Sequence, residues 1–390
     1  MAAGKAAVGM ARAADDYFGG RLAAGLMTAD ATVAPASRWR AVAGTHPEPT
    51  ALSEAAGRSA LALADEARAN GELLVVCLSG GASAMLAVPA PGLTIEDKRA
   101  ITRVLLKAGL DIGEMNMVRR QLSAIKGGRL AARAGRSVTL AISDVCTPIE
   151  DDPRVIGSGP TVGDDTTFAL ALDVLRRHAL LDLVPASVRA YLERGAETGV
   201  NAVVAPDDAR LQHAAYWIAA SRQDAMRAGG DTARALGYHV HTIATPTIGP
   251  ARDAARDLMD VLAFATRPAC VIASGETTVR VTGPGRGGRN QELAVAALER
   301  LSSLAPAALA SIGSDGADGP TDAAGAFVDA ELWDTLGTTA ADRVRRALDD
   351  NDTYPLLDEL DALIRTGPTG TNVGDLQVIL LPAVDATASS

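Results

Sequence analysis

At 390 residues the chain exceeds one ordinary hydrophobic core, so two domains are expected. Its 48% hydrophobic and 22% charged residues exclude a disordered chain, and 3% aromatics with abundant Ala, Val and Leu favour α/β layers over a β-sandwich. A net charge of −10 argues against a nucleic-acid partner, and no apolar run reaches the about 18 residues of a membrane span. Cys77, Cys146 and Cys270 are far apart with no C-x-x-C pair, and the N-terminus lacks the apolar core of a secretory signal. A cytoplasmic protein without disulfides or zinc is expected.

Helical and strand signals alternate along the chain. Residues 6–18 read as a helix just after Gly4-Lys5, and 42–44 as a short strand leading to Thr45-His46-Pro47. An Ala-rich helix over 53–70 stops at Asn70-Gly71. The run 73–78 is continuously apolar, as a buried parallel strand is, and ends at Ser79-Gly80-Gly81-Ala82-Ser83. Thr94, with Asp97 three residues on, caps a helix to about 108. Another helix covers 115–122, a strand over 138–143 closes at Asp144, and 166–180 is helical. Between about 194 and 210 the pattern breaks into Gly, Asn, Pro and Asp, the expected domain boundary. Beyond it, helices are predicted over 224–237, 251–266 and 291–302, and strands over 240–244, 269–273, 278–282, 307–312 and 375–381.

Four strands run directly into small or charged residues: Ser79-Gly80-Gly81, Ser143-Asp144, Ser274-Gly275-Glu276 and Gly313-Ser314-Asp315. Ligands of open parallel sheets sit at the carboxyl ends of strands, so these endings predict a cleft between two α/β domains. Three glycine-punctuated loops, 283–292, 313–320 and 366–372, carry Arg, Asp, Thr and Asn. Glycine lets a backbone approach a ligand, and successive loop amides suit anions.

Arg289 opens a helix, where it can grip a ligand bidentately; its plain structural use is a salt bridge to Glu276 or Glu292. Asp315 and Asp318 have the chemistry of a divalent-cation site, or Asp315 that of a base taking a hydroxyl proton, against an ordinary Asx-turn. Lys5 precedes a helix start, where anions gather. Arg119 and Lys126 share a face if one helix continues between them. His46, alone in a turn, reads as structural. Neither a G-x-S-x-G elbow nor a Walker A loop is present, and no histidines have metal spacing. An enzyme of phosphorylated substrates is expected. Gly283-x-Gly285-x-x-Gly288 fits the dinucleotide fingerprint and keeps an NAD(P)H-dependent 2-hydroxy acid oxidoreductase as the alternative, although the acidic partner expected about 20 residues on is missing from 304–310.

Gly4-Lys5-Ala6-Ala7, Ser79-Gly80-Gly81-Ala82-Ser83-Ala84, Asn116-Met117-Val118-Arg119, Leu122-Ser123-Ala124-Ile125-Lys126-Gly127-Gly128 and Ser158-Gly159-Pro160-Thr161 resemble the N-terminal domain of the class II glycerate 2-kinases. Gly275-Glu276-Thr277-Thr278, Gly288-Arg289-Asn290-Gln291-Glu292-Leu293, the run from Asp315 to Gly325 and the run from Thr366 to Val373 resemble that family's MOFRL domain. The likeness spans nearly the whole chain, in order. It implies a Rossmann-like three-layer sandwich over about 1–200, a MOFRL-type α/β domain over about 210–390 with its core at about 267–385, and an active site in the cleft between them.

The resemblance also implies phosphorylation of D-glycerate to 2-phosphoglycerate, with ATP and Mg2+ as cofactors; members are often named hydroxypyruvate reductases. By the resemblance, Lys5, Glu276, Arg289 and Asp315 are catalytic. Ser79, Gly80, Gly81, Ser83, Asn116, Arg119, Lys126, Asn290, Thr366, Thr369 and Asn372 would contact substrate or nucleotide, and Asp144 and Asp318 a metal. A homodimer is left open. Two departures stand out. Members usually carry about forty residues ahead of the Gly-Lys motif, so the first strand is expected to be missing and Lys5 to lie on a loose terminus. A truncated, inactive binding homologue is therefore a third reading. The stretch 143–152 is also longer than the family's Ser-Asp-Val-x-Gly-Asp-Asp and lacks its glycine, which leaves Asp151 and Asp152 without an assigned role.

Overall fold

The computed structural model describes residues 1–29, 38–199, 202–262 and 265–384, in two compact units, Met1–Ala219 and Ala220–Ser390. The first unit comprises β1 (Ala2–Ala3), α1 (Ala7–Phe18), β2 (Gly25–Ala29), β3 (Trp39–Ala43), α2 (Ala51–Ala69), β4 (Leu74–Leu78), α3 (Ala82–Met85), α4 (Ile95–Lys107), α5 (Ile112–Gln121), α6 (Arg129–Ala134), β5 (Ser137–Ile142), α7 (Phe168–Arg177), α8 (Ala186–Thr198) and β6 (Ala214–Ala220). Its sheet runs β3-β2-β1-β4-β5-β6, and β1 to β5 pair parallel. This is the order of a doubly wound nucleotide-binding sheet, whose crevice lies where the order reverses, between β1 and β4.

Alternating strand side chains build a layer on each face. Ala3, Leu26, Val76 and Leu78 pack with Ala56 and Ala60 of α2 and Leu130 of α6, while Ala2, Met27 and Cys77 pack with Ala7 and Ala11 of α1. A separate cluster joins α4, α5, α7 and α8 through Leu105, Val118, Leu175 and Val188.

The first strand is present, against expectation. Two residues suffice because β1 lies inside the sheet: Ala2 and Ala3 pair with Met27 and Thr28 on one side and with Cys77 and Leu78 on the other. The Met1 amino group donates to Val75 O at 2.6 Å.

The second unit comprises α9 (Arg222–Ala235), β7 (His239–Thr242), β8 (Thr247–Pro250), α10 (Ala251–Leu262), β9 (Ala269–Thr278), α11 (Arg289–Ser302), β10 (Ala308–Gly313), β11 (Gly325–Asp329), α12 (Glu331–Leu336), α13 (Ala340–Asp349), α14 (Thr353–Glu359), β12 (Leu363–Ile364) and β13 (Asp375–Leu381). Its mixed sheet runs β12-β11-β10-β13-β9-β7, with β8 also on β9. Val271 and Ala273 of β9 face α10 and α11, whereas Cys270 and Ile272 face Met226 and Ala233 of α9.

Several expectations change. The predicted strand over 278–282 is not separate: β9 continues to Thr278, and the N–H groups of Thr282 and Gly283 go to Asn351 Oδ1 at 2.7 and 2.9 Å. Helix α10 ends at Leu262, and residues 263–264 of the predicted 251–266 helix lie outside the described residues. The divide between units falls after Ala219 because α8 runs on to Thr198 and β6 joins the first sheet.

Candidate active site

Strands β1, β4 and β5 end on one edge of the first sheet, at Lys5, Ser79 and Asp144. Gly4 makes the exit from β1 possible: its φ is +113°, and a Cβ there would stand 2.4 Å from Ser79 Oγ. The Lys5 N–H donates to Gly80 O at 2.9 Å, and the Ala6 N–H to Ser79 Oγ at 2.9 Å. Lys5 is thus tied to the 79–83 turn rather than lying on a loose terminus. The same bonds occupy Ser79, which is wholly buried and braces the Gly4-Lys5 turn. A Cβ on Gly81 would lie 3.4 Å from the His46 ring, so that histidine borders the turn.

Arg119 and Lys126 do meet, but not along one helix. Helix α5 stops at Gln121, and Gly127 and Gly128, with φ of +59° and +78°, fold the chain back. Lys126 Nζ then donates to Ser83 O at 2.6 Å and to Ser83 Oγ, while Arg119 Nη2 donates to Ser83 Oγ at 3.2 Å. Because Ser83 Oγ accepts from both cations, its own proton goes to Ser158 Oγ at 2.7 Å, and Ser158 donates to Asn116 Oδ1 at 3.1 Å. Asn116, 1% exposed, belongs to this frame and is not at a ligand-facing surface as expected. Ser158 was not among the predicted site residues. Its motif was visible, and its φ of +61° is uncommon outside glycine. Asp152 pairs with Arg154 at 3.0 Å, which gives it a structural use.

Burial pushes Lys126 well below the usual lysine range, and Arg119, Lys98 and Arg120 add to the effect. Burial, then Arg119 and Arg129, lower Lys98 to about 7. Between about 7 and the ordinary value of 10.5 the unfolded chain binds more protons at Lys98 than the native one, so its contribution makes stability rise with pH. Denaturant titrations should show this slope in the wild type and a smaller one in Lys98→Met. Equal slopes would show that the ammonium is not held in this environment.

In the second unit, Arg289 donates from Nε to Asp375 Oδ2 at 2.6 Å and from Nη2 to Oδ1 at 2.9 Å, and its Nη1 lies 3.3 Å from Glu276 Oε1. Burial opposes the guanidinium's charge, but the bonds and charge of Asp375, with Glu276 and Asp318, outweigh it and hold Arg289 above its ordinary value. Asp375, which the sequence reading placed only at a strand start, pairs across the sheet with Gly313 of β10 and Gly275 of β9. A Cβ on Gly313 would stand 2.8 Å from Ala317 O, 3.3 Å from Asp315 Oδ1 and 3.6 Å from Asp375 Oδ1, so both carboxylates border this glycine. Glu292 is engaged by Arg252 at 2.9 Å rather than by Arg289.

Asp318 is not placed as a metal ligand. Its carboxylate accepts the N–H groups of Asn290 and Gln291 at 3.0 and 2.9 Å, anchoring the start of α11, and burial pushes its carboxyl upward. Asn290, expected to touch substrate or nucleotide, is wholly buried between Asp318 and Ser311. Among the described residues, no three His, Cys, Asp or Glu side chains gather as a metal site.

The glycine loop also differs from expectation. Added Cβ atoms on Gly283, Gly285, Gly287 and Gly288 would come within 2.3 Å of Asp350 O, 2.4 Å of Asp352 Cβ, 2.2 Å of Thr353 Oγ1 and 2.3 Å of Asp318. These glycines admit protein, not a pyrophosphate, and the dinucleotide fingerprint loses its basis. The 366–372 loop braces the Asp315 loop: Thr369 Oγ1 donates to Ser314 O at 2.6 Å, the Thr369 N–H to Asp315 O at 3.2 Å, and Asn372 Oδ1 accepts from Ser314 Oγ at 3.3 Å. Thr366 is exposed and donates to Gly367 O at 2.8 Å.

Residues 1–193 match a domain of unknown function (DUF4147), and residues 269–375 match the MOFRL family. Over 390 aligned residues the chain is 34% identical to the glycerate 2-kinase of Pyrococcus horikoshii, covering 98% of this chain and 86% of that one. The chain belongs to the class II glycerate 2-kinase family. An Agrobacterium vitis relative, provisionally named hydroxypyruvate reductase, is 35% identical over 98% of both chains. The crystal structure of a glycerate kinase from Thermotoga maritima matches with a TM-score of 0.85 at 34% identity, over 97% of this chain and 90% of that one. Within this glycerate 2-kinase frame, the MOFRL match begins at the first residue of β9 and ends at Asp375. It therefore contains Glu276, Arg289, Asp315 and the loop that braces Asp315.

Proposed function

We propose that the protein transfers the terminal phosphoryl group of ATP to the C2 hydroxyl of D-glycerate, releasing ADP and 2-phosphoglycerate. The observation that carries this reading is the 34% identity along essentially the whole chain with a protein named glycerate 2-kinase. The geometry of each unit is compatible with it. Phosphoryl transfer calls for cations on the migrating group and an oriented hydroxyl. Lys5 stands at the β1–β4 crevice, and Arg289 offers a guanidinium whose direction Asp375 sets. Asp315 is the carboxylate for the hydroxyl proton or for magnesium.

Mg2+ is usually held by one or two carboxylates plus substrate phosphates. Asp315 would hold it, and the bound ion would neutralise charge on the nucleotide. The buried thiols of Cys77 and Cys270 suit a reducing cytoplasm, and no described helix is long and apolar enough to cross a membrane.

Purified protein given D-glycerate and Mg-ATP should form ADP only when glycerate is present. EDTA should stop the reaction, and phosphorus NMR should place the new ester on C2. NADH with hydroxypyruvate should remain unoxidised. NADH oxidation without glycerate-dependent ADP would overturn the assignment, and an ester on C3 would overturn the regiochemistry alone.

A further inference from the structure

Strand β6 closes the first sheet, with β5 on one side and, among the described residues, no strand on the other. An open edge is a template for another strand, and proteins blunt such edges with charge, proline or shortness. The other edges are blunted in this way: β3 carries the exposed Arg40, β8 ends at Pro250, and β7 and β12 are four and two residues long. Strand β6 has seven residues, Ala-Ala-Tyr-Trp-Ile-Ala-Ala, and none of these protections. No Asp, Glu, Lys or Arg lies between Arg210 and Arg222. Trp217, at the centre of the strand, is 54% exposed.

Tyr216 and Ile218 pack with the layer that contains Val76, Leu130 and Ala141, so alternation puts Trp217 on the opposite face, which it shares with the half-buried Val138, Leu140 and Ile142 of β5. The Ser137 N–H donates to His213 O at 3.0 Å, so odd-numbered residues of this stretch turn their backbone groups toward β5. The N–H and C=O groups of Ala214, Tyr216, Ile218 and Ala220 therefore point off the edge.

In side-chain size the strand is a palindrome: two alanines, a bulky centre, two alanines. Laid antiparallel on its own copy about Trp217, it sets Ala214 against Ala220, Ala215 against Ala219 and Tyr216 against Ile218. The outward-pointing backbone groups then meet as hydrogen-bonded pairs, and the two Trp217 form a non-hydrogen-bonded pair, where side chains approach most closely. Backbone direction and side-chain size thus select the same register. A two-fold axis also sets like against like, so a charge near it would face itself. The neutral stretch 211–221 meets that demand, whereas a charged partner strand would find no opposite charge on it.

We propose that the β6 edge is the interface of a two-fold symmetric homodimer, in which the six-stranded sheets of two copies join antiparallel through β6 with the Trp217 rings packed across the axis. Joining covers both open edges at once, so assembly stops at two. The interface is independent of the kinase reading.

Sedimentation of the full chain at about 50 μM should give twice the monomer mass. Trp217→Lys sets two ammonium groups against each other on the axis. It should sediment as a monomer, with the dissociation constant raised at least about a hundredfold and the circular dichroism of a folded chain. Trp217→Cys tests the register. Opposed residues of a non-hydrogen-bonded pair lie about 4.5 Å apart at Cα, within the span of about 4.4 to 6.8 Å that a disulfide bridges. Mild oxidation should therefore give a covalent dimer in Trp217→Cys, but not in the wild type or in Leu236→Cys, whose native side chain is 72% exposed after α9. The crosslink decides the question even if the lysine variant fails to fold. A monomeric wild type, a folded Trp217→Lys that stays dimeric, no crosslink in Trp217→Cys, or equal crosslinking in Leu236→Cys overturns the interface. Assemblies larger than two overturn it as well, because an isologous contact closes on itself.

Discussion

Replacing Arg289 by Ala is expected to destabilise the protein by about 3 kcal/mol and to lower turnover by at least about a hundredfold. The stability effect follows from what is left behind. Asp375 has no exposed side-chain surface, so without the guanidinium its carboxylate would remain charged away from water or take up a proton. The reverse substitution, Asp375→Ala, should be milder in stability, because the Arg289 side chain is 31% exposed and can find solvent. Turnover should fall comparably in both. Without the bidentate lock at 2.6 and 2.9 Å the fork is free to rotate, and a misplacement of about an ångström is enough to lose a hundredfold in rate. Denaturation midpoints and kcat/KM for the two variants check this. A larger stability loss in Asp375→Ala, or normal turnover in either, would contradict the roles given to the pair.

Gly316→Ala should disable the enzyme while leaving it folded. Gly316 has φ of +85°, and a Cβ there would meet Gly367 O at 2.0 Å, a backbone atom that cannot rotate away. The 313–320 and 366–374 loops would have to separate. That breaks the bonds from Thr369 to Ser314 and Asp315 and the bond from the Val373 N–H to Ser314 Oγ at 2.8 Å. Asp315 would move with them, and turnover should fall by about a hundredfold or more. Gly367→Ala is the matched control. Its φ of +64° carries a similar left-handed penalty of about 1 kcal/mol, but nothing lies within 4 Å of the added Cβ. The difference between the two variants measures the clash alone. Equal turnover in both would show that contact between the loops does not position Asp315.

Local pattern alone located α2, α4, β4, β5 and β13 and the Thr94 cap, because apolar periodicity and capping chemistry act within a few residues. The class II glycerate 2-kinase motifs were equally plain. Patterning did not reveal β1, β6, β8 or α12–α14. Two residues carry no periodicity, and the Ala-rich β6 and the four-residue β8 are strands only because a neighbouring strand pairs with them. The glycine loop misled for a related reason. Glycine signals close approach without saying to what, and here segment 350–353 fills the space that a pyrophosphate would need.

Side-chain partners were the least visible layer. Arg289 and Asp375 lie 86 positions apart, and they meet because β13 inserts between β9 and β10. Arg119 reaches the Lys126 neighbourhood through a broken helix rather than along a continuous one. The order of residues thus dictated which stretches bury apolar surface and which motifs are present, since both depend on near neighbours. Strand order and loop-on-loop packing decided which charges face one another, since those contacts exist only after distant segments have closed a core.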